Sequence, residues 1–322
     1  MIILCFEASH RRGLGHAMRM LRLAREVQRL GGEPLLVCNP DLTVDRLLAE
    51  RGLPFRHVPL DEIDTGWEPA LLGALGPVRV WVNDRLATSR RHAQTLKSLG
   101  LWVATVDDSG DGAEESDLHL IPLFSGGSRR AGRRILEGWE WAFLPADEIL
   151  AARARARRVP GRTSSIGVCL GGSDTNSSIL AVLDRLFARN LSADVCLGPA
   201  FQEDSRIEAR LNDPRVRLVR EVPSLIHWLS CWDLAITGGG MTALEAAAVG
   251  TPPCIVANEP HEIETARNME RDGLGVYWGP HGELPDLPTG AFQGLSHRAS
   301  LGRALRVDGA ERVAGILMEE SR

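Results

Sequence analysis

Three glycine-rich turns carry the residues whose types and spacing suit chemistry in this sequence. The first turn, residues 9–19, contains Gly13 and Gly15, followed by His16 and Arg19. Glycines at such a turn leave backbone N–H groups open to an anionic oxygen at a helix start, and we expect Gly13, Gly15 and Arg19 to contact substrate. A neutral imidazole, whose ordinary pKa is about 6.5, accepts a proton near pH 7. His16 is therefore a candidate general base, and the alternative is a histidine that only bonds the backbone.

The first turn departs from the dinucleotide-binding pattern G-x-G-x-x-G, because Met18 replaces the third glycine. This disfavours a nicotinamide enzyme, and no cofactor of another kind is indicated. The nine histidines include no His-x-x-x-His pair. Asp107, Asp108 and Asp111 are more typical of a turn than of a magnesium site. The sequence therefore predicts no metal.

The second turn, residues 169–176, contains Gly172, Ser173 and Asp174. Small residues between a strand and a helix let a substrate or a phosphate approach the backbone closely. We expect these three residues to contact substrate. Ser173 or Asp174 also suits the N-cap of the following helix, and capping is compatible with ligand contact.

The third turn places three consecutive glycines between a buried strand and a helix. Unpaired amides and the positive helix end then point at one spot, which suits a diphosphate. Glu245, one turn into the helix, is placed to accept the two hydroxyls of a ribose; the alternative is an ordinary acid stabilised by the helix dipole. His261 and Glu262 begin the next helix at the same edge. The nucleotide-binding candidates here are Gly238, Gly239, Gly240, Met241, Thr242, Glu245, His261 and Glu262.

Strands and helices alternate along most of the chain, which is typical of parallel sheets covered on both faces. The first half predicts strands at 1–7, 34–38, 78–82 and 102–106 and helices at 16–30, 43–51 and 89–99. The second half predicts strands at 165–170, 193–197, 216–219, 234–237 and 253–256 and helices at 177–189, 203–211, 224–229, 242–249 and 263–271.

The alternation breaks down over residues 124–163, where glycines and arginines interrupt it. We therefore expect two Rossmann-like α/β domains, residues 1–145 and 146–322. Ligands of such folds bind at the carboxyl ends of the strands, so a cleft between the domains is expected. Residues 280–294 are expected to be a loop. Residues 296–320 are expected to be a final helical stretch that packs back on the first domain.

Composition excludes several classes of protein. The 322 residues are 44% hydrophobic and 25% charged, which is typical of a folded soluble chain. A net charge of -5 argues against a nucleic-acid partner. No apolar run reaches the ~18 residues of a membrane span. The six cysteines are scattered, which favours reduced thiols and a cytoplasmic protein.

The three turns together resemble those of a family. Residues 13–19, 171–174 and 238–245 are similar in order and spacing to the UDP-sugar hydrolase of pseudaminic acid biosynthesis and to related spore-coat polysaccharide proteins. More distantly they resemble the peptidoglycan N-acetylglucosaminyltransferase, which has the GT-B glycosyltransferase fold. The resemblance spans roughly residues 1–280.

The resemblance implies a GT-B fold whose C-terminal domain holds the nucleotide. The family histidine matches His16, which is implied to activate water against the anomeric carbon, and residues 238–245 are implied to hold UDP. Three short segments depart from the family pattern. They are Cys5-Phe6-Glu7 in place of Arg-x-Asp, Asn83-Asp84-Arg85 in place of Asp-x-Tyr, and His261-Glu262 in place of Asn-Gln.

We expect Asp84 and Arg85 to contact the sugar, with the arginine changing the charge that faces the hexose. The function expected is metal-independent, inverting hydrolysis of a UDP-activated amino or acetamido sugar, in nonulosonic acid or surface polysaccharide biosynthesis. The first alternative is a glycosyltransferase in which His16 activates an acceptor hydroxyl. The second is a nucleotide-sugar-binding protein without catalysis. The oligomeric state is not indicated.

Overall fold

The computed structural model of the chain describes residues 1–7, 14–60, 66–123, 130–155, 165–171, 178–198, 201, 205–220 and 224–322. Two compact units are present: residues 1–144 with 307–322, and residues 145–306. Within the described ranges, no helix is long and apolar enough to cross a bilayer.

The first unit is built on a seven-stranded parallel sheet in the order β3-β2-β1-β4-β5-β6-β7. Its strands are β1 (Ile2–Phe6), β2 (Pro34–Cys38), β3 (Phe55–His57), β4 (Val80–Asp84), β5 (Trp102–Val106), β6 (Leu118–Ile121) and β7 (Ile135–Glu137). The helices between them are α1 (Gly15–Arg29), α2 (Leu42–Arg51), α3 (Trp67–Gly73) and α4 (Arg90–Ser98).

The second unit is built on a six-stranded parallel sheet in the order β10-β9-β8-β11-β12-β13. Its strands are β8 (Ile166–Cys169), β9 (Ala193–Cys196), β10 (Val216–Val219), β11 (Leu234–Thr237), β12 (Pro253–Ala257) and β13 (Val276–Pro280). Its helices are α5 (Ala146–Ala154), α6 (Ser178–Ala188), α7 (Ser205–Leu211), α8 (Leu225–Cys231), α9 (Met241–Val249), α10 (Glu262–Arg271) and α11 (Leu295–Arg303). The prediction of two parallel-sheet α/β units is thereby confirmed.

Side chains alternate across the first sheet, so each of its faces has its own apolar core. Leu4, Phe6 and Val82 are buried on the face covered by α1. Cys5 and Trp81 are buried on the opposite face. This alternation decides on which side of the sheet each residue at the end of β4 lies.

The final helical stretch expected over 296–320 consists of two helices. The second of them, α12 (Gly309–Glu320), packs against α1 in the first unit. The guanidinium of Arg312 lies 3.6 Å from the centroid of the Trp141 ring. The region 280–294, expected to be a loop, contains two short 3₁₀ turns, His281–Glu283 and Thr289–Phe292.

Candidate active site

The first sheet changes direction between β1 and β4. The chain leaves β1 toward β2 on one side and returns through β3 to β4 on the other. In parallel α/β sheets, ligands bind at the carboxyl ends of the strands at such a switch point. Helix α1 begins after β1 at Gly15, and β4 ends with Asp84. Residues from both elements meet at this edge.

Arg19 of α1 is buried between two carboxylates. Its Nε donates to Oδ2 of Asp84 at 3.0 Å, and its Nη2 donates to Oδ1 of the same residue. Its Nη1 donates to Oδ2 of Asp107 at 2.5 Å. Asp107 follows β5 with a positive φ of 47°, and its Oδ1 accepts the N–H of Leu123 at 3.2 Å. Two neighbouring strands therefore hold Arg19 in place.

His16 lies beside this ion network, with its Nδ1 2.7 Å from Oδ1 of Asp84. An ionised carboxylate only accepts hydrogen bonds, so Nδ1 carries the proton and donates it. Nη2 of Arg19 lies 3.1 Å from Nδ1, but both groups donate to the carboxylate rather than to each other. The neutral ring then has its free lone pair on Nε2, to which no described residue hydrogen-bonds. The side chain is 14% exposed, so a substrate has access to it.

The electrostatics of the two carboxylates differ. Burial raises the pKa of Asp84, but the charges of Arg19 and His16 and their hydrogen bonds outweigh burial and hold it below its ordinary value. Burial also raises the pKa of Asp107. Arg19 lowers this pKa by less than burial raises it, so the pKa of Asp107 lies above its ordinary value. Asp84 is therefore the carboxylate that stays ionised and keeps the proton on Nδ1 of His16.

The rest of the first turn contributes less to the described site. Gly15 is exposed as the first residue of α1, and a Cβ there would meet nothing within 4 Å. Gly13 lies outside the described residues. Their expected contact with substrate stays a prediction.

The second sheet changes direction between β8 and β11. After β8, Gly171 adopts a φ of +101°, which favours glycine. Gly172, Ser173 and Asp174 lie outside the described residues, so their expected contact with substrate stays a prediction. Burial raises the pKa of Cys169, at the end of β8, to about 11, which keeps this thiol protonated near neutral pH.

The glycines 238–240 join β11 to α9, and Glu262 packs directly against them. A Cβ on Gly239 would lie 2.6 Å from Cβ of Glu262 and 2.9 Å from its carbonyl oxygen, so only glycine fits there. A Cβ on Gly240 would have only an ordinary contact, 3.5 Å from Oε1 of Glu262. The carboxylate of Glu262 accepts the N–H of Asn258 at 2.8 Å and that of Gly239. Glu262 therefore fixes the shape of the loop.

Helix α9 begins at Met241, followed by Thr242. The first N–H groups of a helix have no partner within the helix, and they carry its positive end. Just before the glycines, the hydroxyl of Thr237 is buried, and it has no hydrogen-bond partner among the described residues. A buried polar atom of this kind calls for an explanation, and a ligand that completes its hydrogen bonding is one.

The remaining nucleotide-binding candidates lie close to the loop. Glu245 lies inside α9 and is 5% exposed, near enough to Cys169 to affect its pKa. His261 is the N-cap residue of α10, although its side chain does not cap the helix. Asn258, which follows β12, bonds to the residue that follows β8, because its Nδ2 donates to the carbonyl of Leu170 at 3.0 Å.

Asp84 and Arg85, expected together at the sugar, lie on opposite faces of the first sheet. Asp84 faces α1, whereas Arg85 lines a cavity with His92 of α4. The sequence interpretation missed the ion pair of Asp107 with Arg19 and the buried hydroxyl of Thr237. The Asp107–Asp108 doublet after β5 was the available signal for the first of these, and its assignment to a turn hid the ion pair with Arg19.

Comparison with solved structures defines the class of fold. MurG of Acinetobacter baumannii matches with a TM-score of 0.65 at 12% identity, covering 99% of this chain and 100% of MurG. The glycotransferase of kitacinnamycin matches with a TM-score of 0.66 at 15% identity, covering 99% of each chain. The spinosyn rhamnosyltransferase SpnG, complexed with thymidine diphosphate, matches with a TM-score of 0.58 at 18% identity, covering 99% of this chain and 96% of SpnG. The chain has the GT-B fold, as expected from the sequence.

Comparison with curated sequences finds distant relatives. An uncharacterized protein of Methanocaldococcus jannaschii is 21% identical over 314 residues, which is 92% of this chain and 62% of that protein. The spore coat polysaccharide biosynthesis protein SpsG of Bacillus subtilis is 24% identical over 127 residues, 38% of each chain. The chain thus spans less than two thirds of the length of these relatives. No protein-family model matches it.

Proposed function

We propose that the protein transfers a sugar from a nucleoside diphosphate sugar to a hydroxyl group of an acceptor. The observation that carries this proposal is His16, whose Nδ1 is held by ionised Asp84 at 2.7 Å while its Nε2 has no described partner. This is the arrangement by which a carboxylate fixes the tautomer of a catalytic base. Nε2 takes the proton of the acceptor hydroxyl as its oxygen attacks the anomeric carbon.

The second unit holds the donor in this proposal. Attack by the acceptor oxygen breaks the bond between the anomeric carbon and the diphosphate, which leaves with the electron pair. The first N–H groups of α9, at Met241 and Thr242, stabilise the charge on the departing group. A single base and a single displacement invert the configuration at the anomeric carbon. The proposal requires that a donor bound at this loop brings its anomeric carbon within reach of His16.

The comparisons support transfer more than hydrolysis. The solved structures of similar fold include a glycotransferase and a rhamnosyltransferase, the latter complexed with thymidine diphosphate. The relative SpsG is a spore coat polysaccharide biosynthesis protein. The hydrolysis expected from the sequence and the pseudaminic acid pathway have no such support. The donor nucleotide is therefore proposed as UDP or thymidine diphosphate.

One experiment separates transfer from hydrolysis, the second candidate, in which Nε2 deprotonates water. The full chain is incubated in ¹⁸O-water with UDP- and dTDP-hexoses, with and without a panel of free sugars, and the products are analysed by mass spectrometry. Transfer predicts a product of acceptor plus hexosyl mass without ¹⁸O. Hydrolysis predicts free sugar carrying one ¹⁸O without any acceptor. Binding of the nucleotide sugars with no product in either arm would contradict both reactions and favour a binding protein.

A further inference from the structure

A cavity of about 310 Å³ opens in the first unit on the face of the sheet opposite His16. Leu60 follows β3, and Arg85 and Thr88 follow β4, so the cavity lies at the carboxyl edge. Trp67 and His92 line it from α3 and α4. Its volume is at the lower end of the range for small-molecule pockets, roughly 300–1,000 Å³, and suits one small ligand.

Arg85 is a cation of this cavity, and none of the ion pairs found among the described residues includes it. Its Nη2 donates to the carbonyl of Leu60 at 3.1 Å. Its Nε is buried, and no described residue accepts a hydrogen bond from it. Among the described residues, no carboxylate lies within the 4.0 Å of an ion pair with it. A guanidinium presents its N–H groups as a planar fork that matches a carboxylate or a phosphate.

The other charged groups of the cavity already have partners. Oε1 of Glu68 lies 2.6 Å from Nδ1 of His92. Nε2 of His92 lies 3.1 Å from Oδ1 of Asn83, which also accepts the indole N–H of Trp81 at 2.8 Å. These contacts hold the Glu68–His92 pair in the wall.

The lining of the cavity contains both polar and aromatic residues. Asp111 is exposed and accepts the backbone N–H of Arg90 at 2.8 Å. Trp67, which is half-buried, lines the same cavity as the hydroxyl-bearing residues Thr88 and Ser89. A flat apolar surface beside hydroxyl groups suits a ligand with an apolar face and a polar edge, as a sugar ring has.

We propose that this cavity binds a hexose-sized molecule that carries a carboxylate or a phosphate. The oxyanion pairs with Arg85 and satisfies its buried Nε, and the sugar ring lies on Trp67. This binding does not depend on the nucleotide or on His16. It therefore stands apart from the proposed transfer reaction.

Isothermal titration calorimetry of the full chain without nucleotide tests this inference. The probes are glucuronate, glucose 6-phosphate, glucose and inorganic phosphate. At least one anionic sugar should bind about tenfold more tightly than glucose and than inorganic phosphate, since charge-assisted bonds are the strong ones. Preference for glucuronate assigns a carboxylate ligand, and preference for glucose 6-phosphate assigns a phosphate. Equal binding of glucose and both anionic sugars would overturn the inference, and equal binding of inorganic phosphate would overturn its sugar component.

Substitutions of Arg85 test whether this residue causes the preference for an anionic sugar over glucose. Arg85→Met should abolish the discrimination between anionic and neutral sugar, and Arg85→Lys should restore it in part. Arg56→Met is the matched control, because Arg56 is exposed and only bonds the carbonyl of its neighbour Phe55. The control should bind as the wild type does. Retained discrimination in folded Arg85→Met would contradict the proposed site. Should that variant not fold, an unchanged affinity of Trp67→Ala for the anionic sugar would contradict it.

Discussion

The two units have the same kind of parallel sheet with one switch point, but they present different chemistry there. In the first unit the edge carries charged side chains, with Arg19 and Asp84 buried and His16 partly exposed. In the second it carries glycines 238–240 and the start of α9. In the proposed function, the first edge supplies side chains that move protons, and the second supplies main-chain N–H groups that bind the diphosphate.

This difference shows two ways of fixing a site. The side-chain site needs buried partners, because Arg19 is held by Asp84 and Asp107. The main-chain site needs close packing instead, because its shape depends on how tightly Glu262 lies against Gly239. Substitutions in the first unit should therefore affect turnover, and those in the second unit should affect nucleotide affinity.

The largest effect is expected for His16→Asn. Loss of the general base should lower kcat by about 10²–10⁴-fold. The affinity for nucleotide should not change, since the proposed nucleotide site lies in the other unit. Steady-state kinetics and calorimetric titration with UDP or dTDP measure the two quantities. A reduced nucleotide affinity with unchanged kcat would reverse the assigned roles of the units.

The two carboxylates around Arg19 form a matched pair for the next prediction. Asp84→Asn replaces a carboxylate, which only accepts hydrogen bonds, with an amide that also donates, so the proton is no longer fixed on Nδ1 of His16 and kcat should fall by about 10²-fold or more. Asp107→Asn leaves the contact between Asp84 and His16 intact and should lower kcat less. Kinetics of both variants, checked for folding by thermal melting, make the comparison. Equal losses of kcat would show that Asp84 acts only through Arg19.

A smaller effect is expected for Gly239→Ala. Its Cβ would lie 2.6 Å from Cβ of Glu262, which forces the loop away from α10. Nucleotide affinity should fall by about tenfold, equivalent to about 1.4 kcal/mol. In the control Gly282→Ala the new Cβ meets nothing within 4 Å, so affinity should be retained. Wild-type Kd for the Gly239 variant would remove this loop from the nucleotide site.

The smallest effect concerns the pH dependence of stability at Glu262. Burial raises the pKa of Glu262 despite the N–H groups of Asn258 and Gly239 that it accepts. An acid with a raised pKa in the folded chain holds its proton more tightly there. Its contribution to the free energy of unfolding therefore decreases as pH rises from about 4.3, the ordinary value, through the raised folded value.

Glu262→Gln removes this titration. Its urea midpoint should improve relative to that of the wild type as pH increases above the ordinary carboxyl pKa of about 4.3. Measurements at several pH values across this range give the trend. A constant difference between the two midpoints would contradict the raised pKa.

Much of the fold could be predicted because buried parallel strands are continuous apolar runs. Ile2–Phe6 and Pro34–Cys38 are such runs, and both are strands. Short strands with mixed residues could not be found in this way. Phe55–His57 is partly exposed, and Ile135–Glu137 lies within the region where the expected pattern breaks down.

Less of the site could be predicted, because its contacts join residues far apart in the sequence. The glycines and His16 were visible as local motifs. The pairing of Arg19 with Asp84 and Asp107 spans 65 and 88 residues and depends on the order of the strands. Asp84 and Arg85 lie apart because successive side chains along a strand point to opposite faces of the sheet. The expectation that both residues contact the sugar did not take this alternation into account.

The central claim is that the first unit supplies the base and the second unit holds the diphosphate of the donor. The most direct test is a crystal structure of His16→Asn with an intact UDP- or dTDP-hexose. We expect diphosphate oxygens at about 3 Å from the N–H groups of Met241 and Thr242, and the anomeric carbon facing residue 16 with room for one hydroxyl between them. A donor bound away from α9, or an anomeric carbon directed away from residue 16, would contradict the claim.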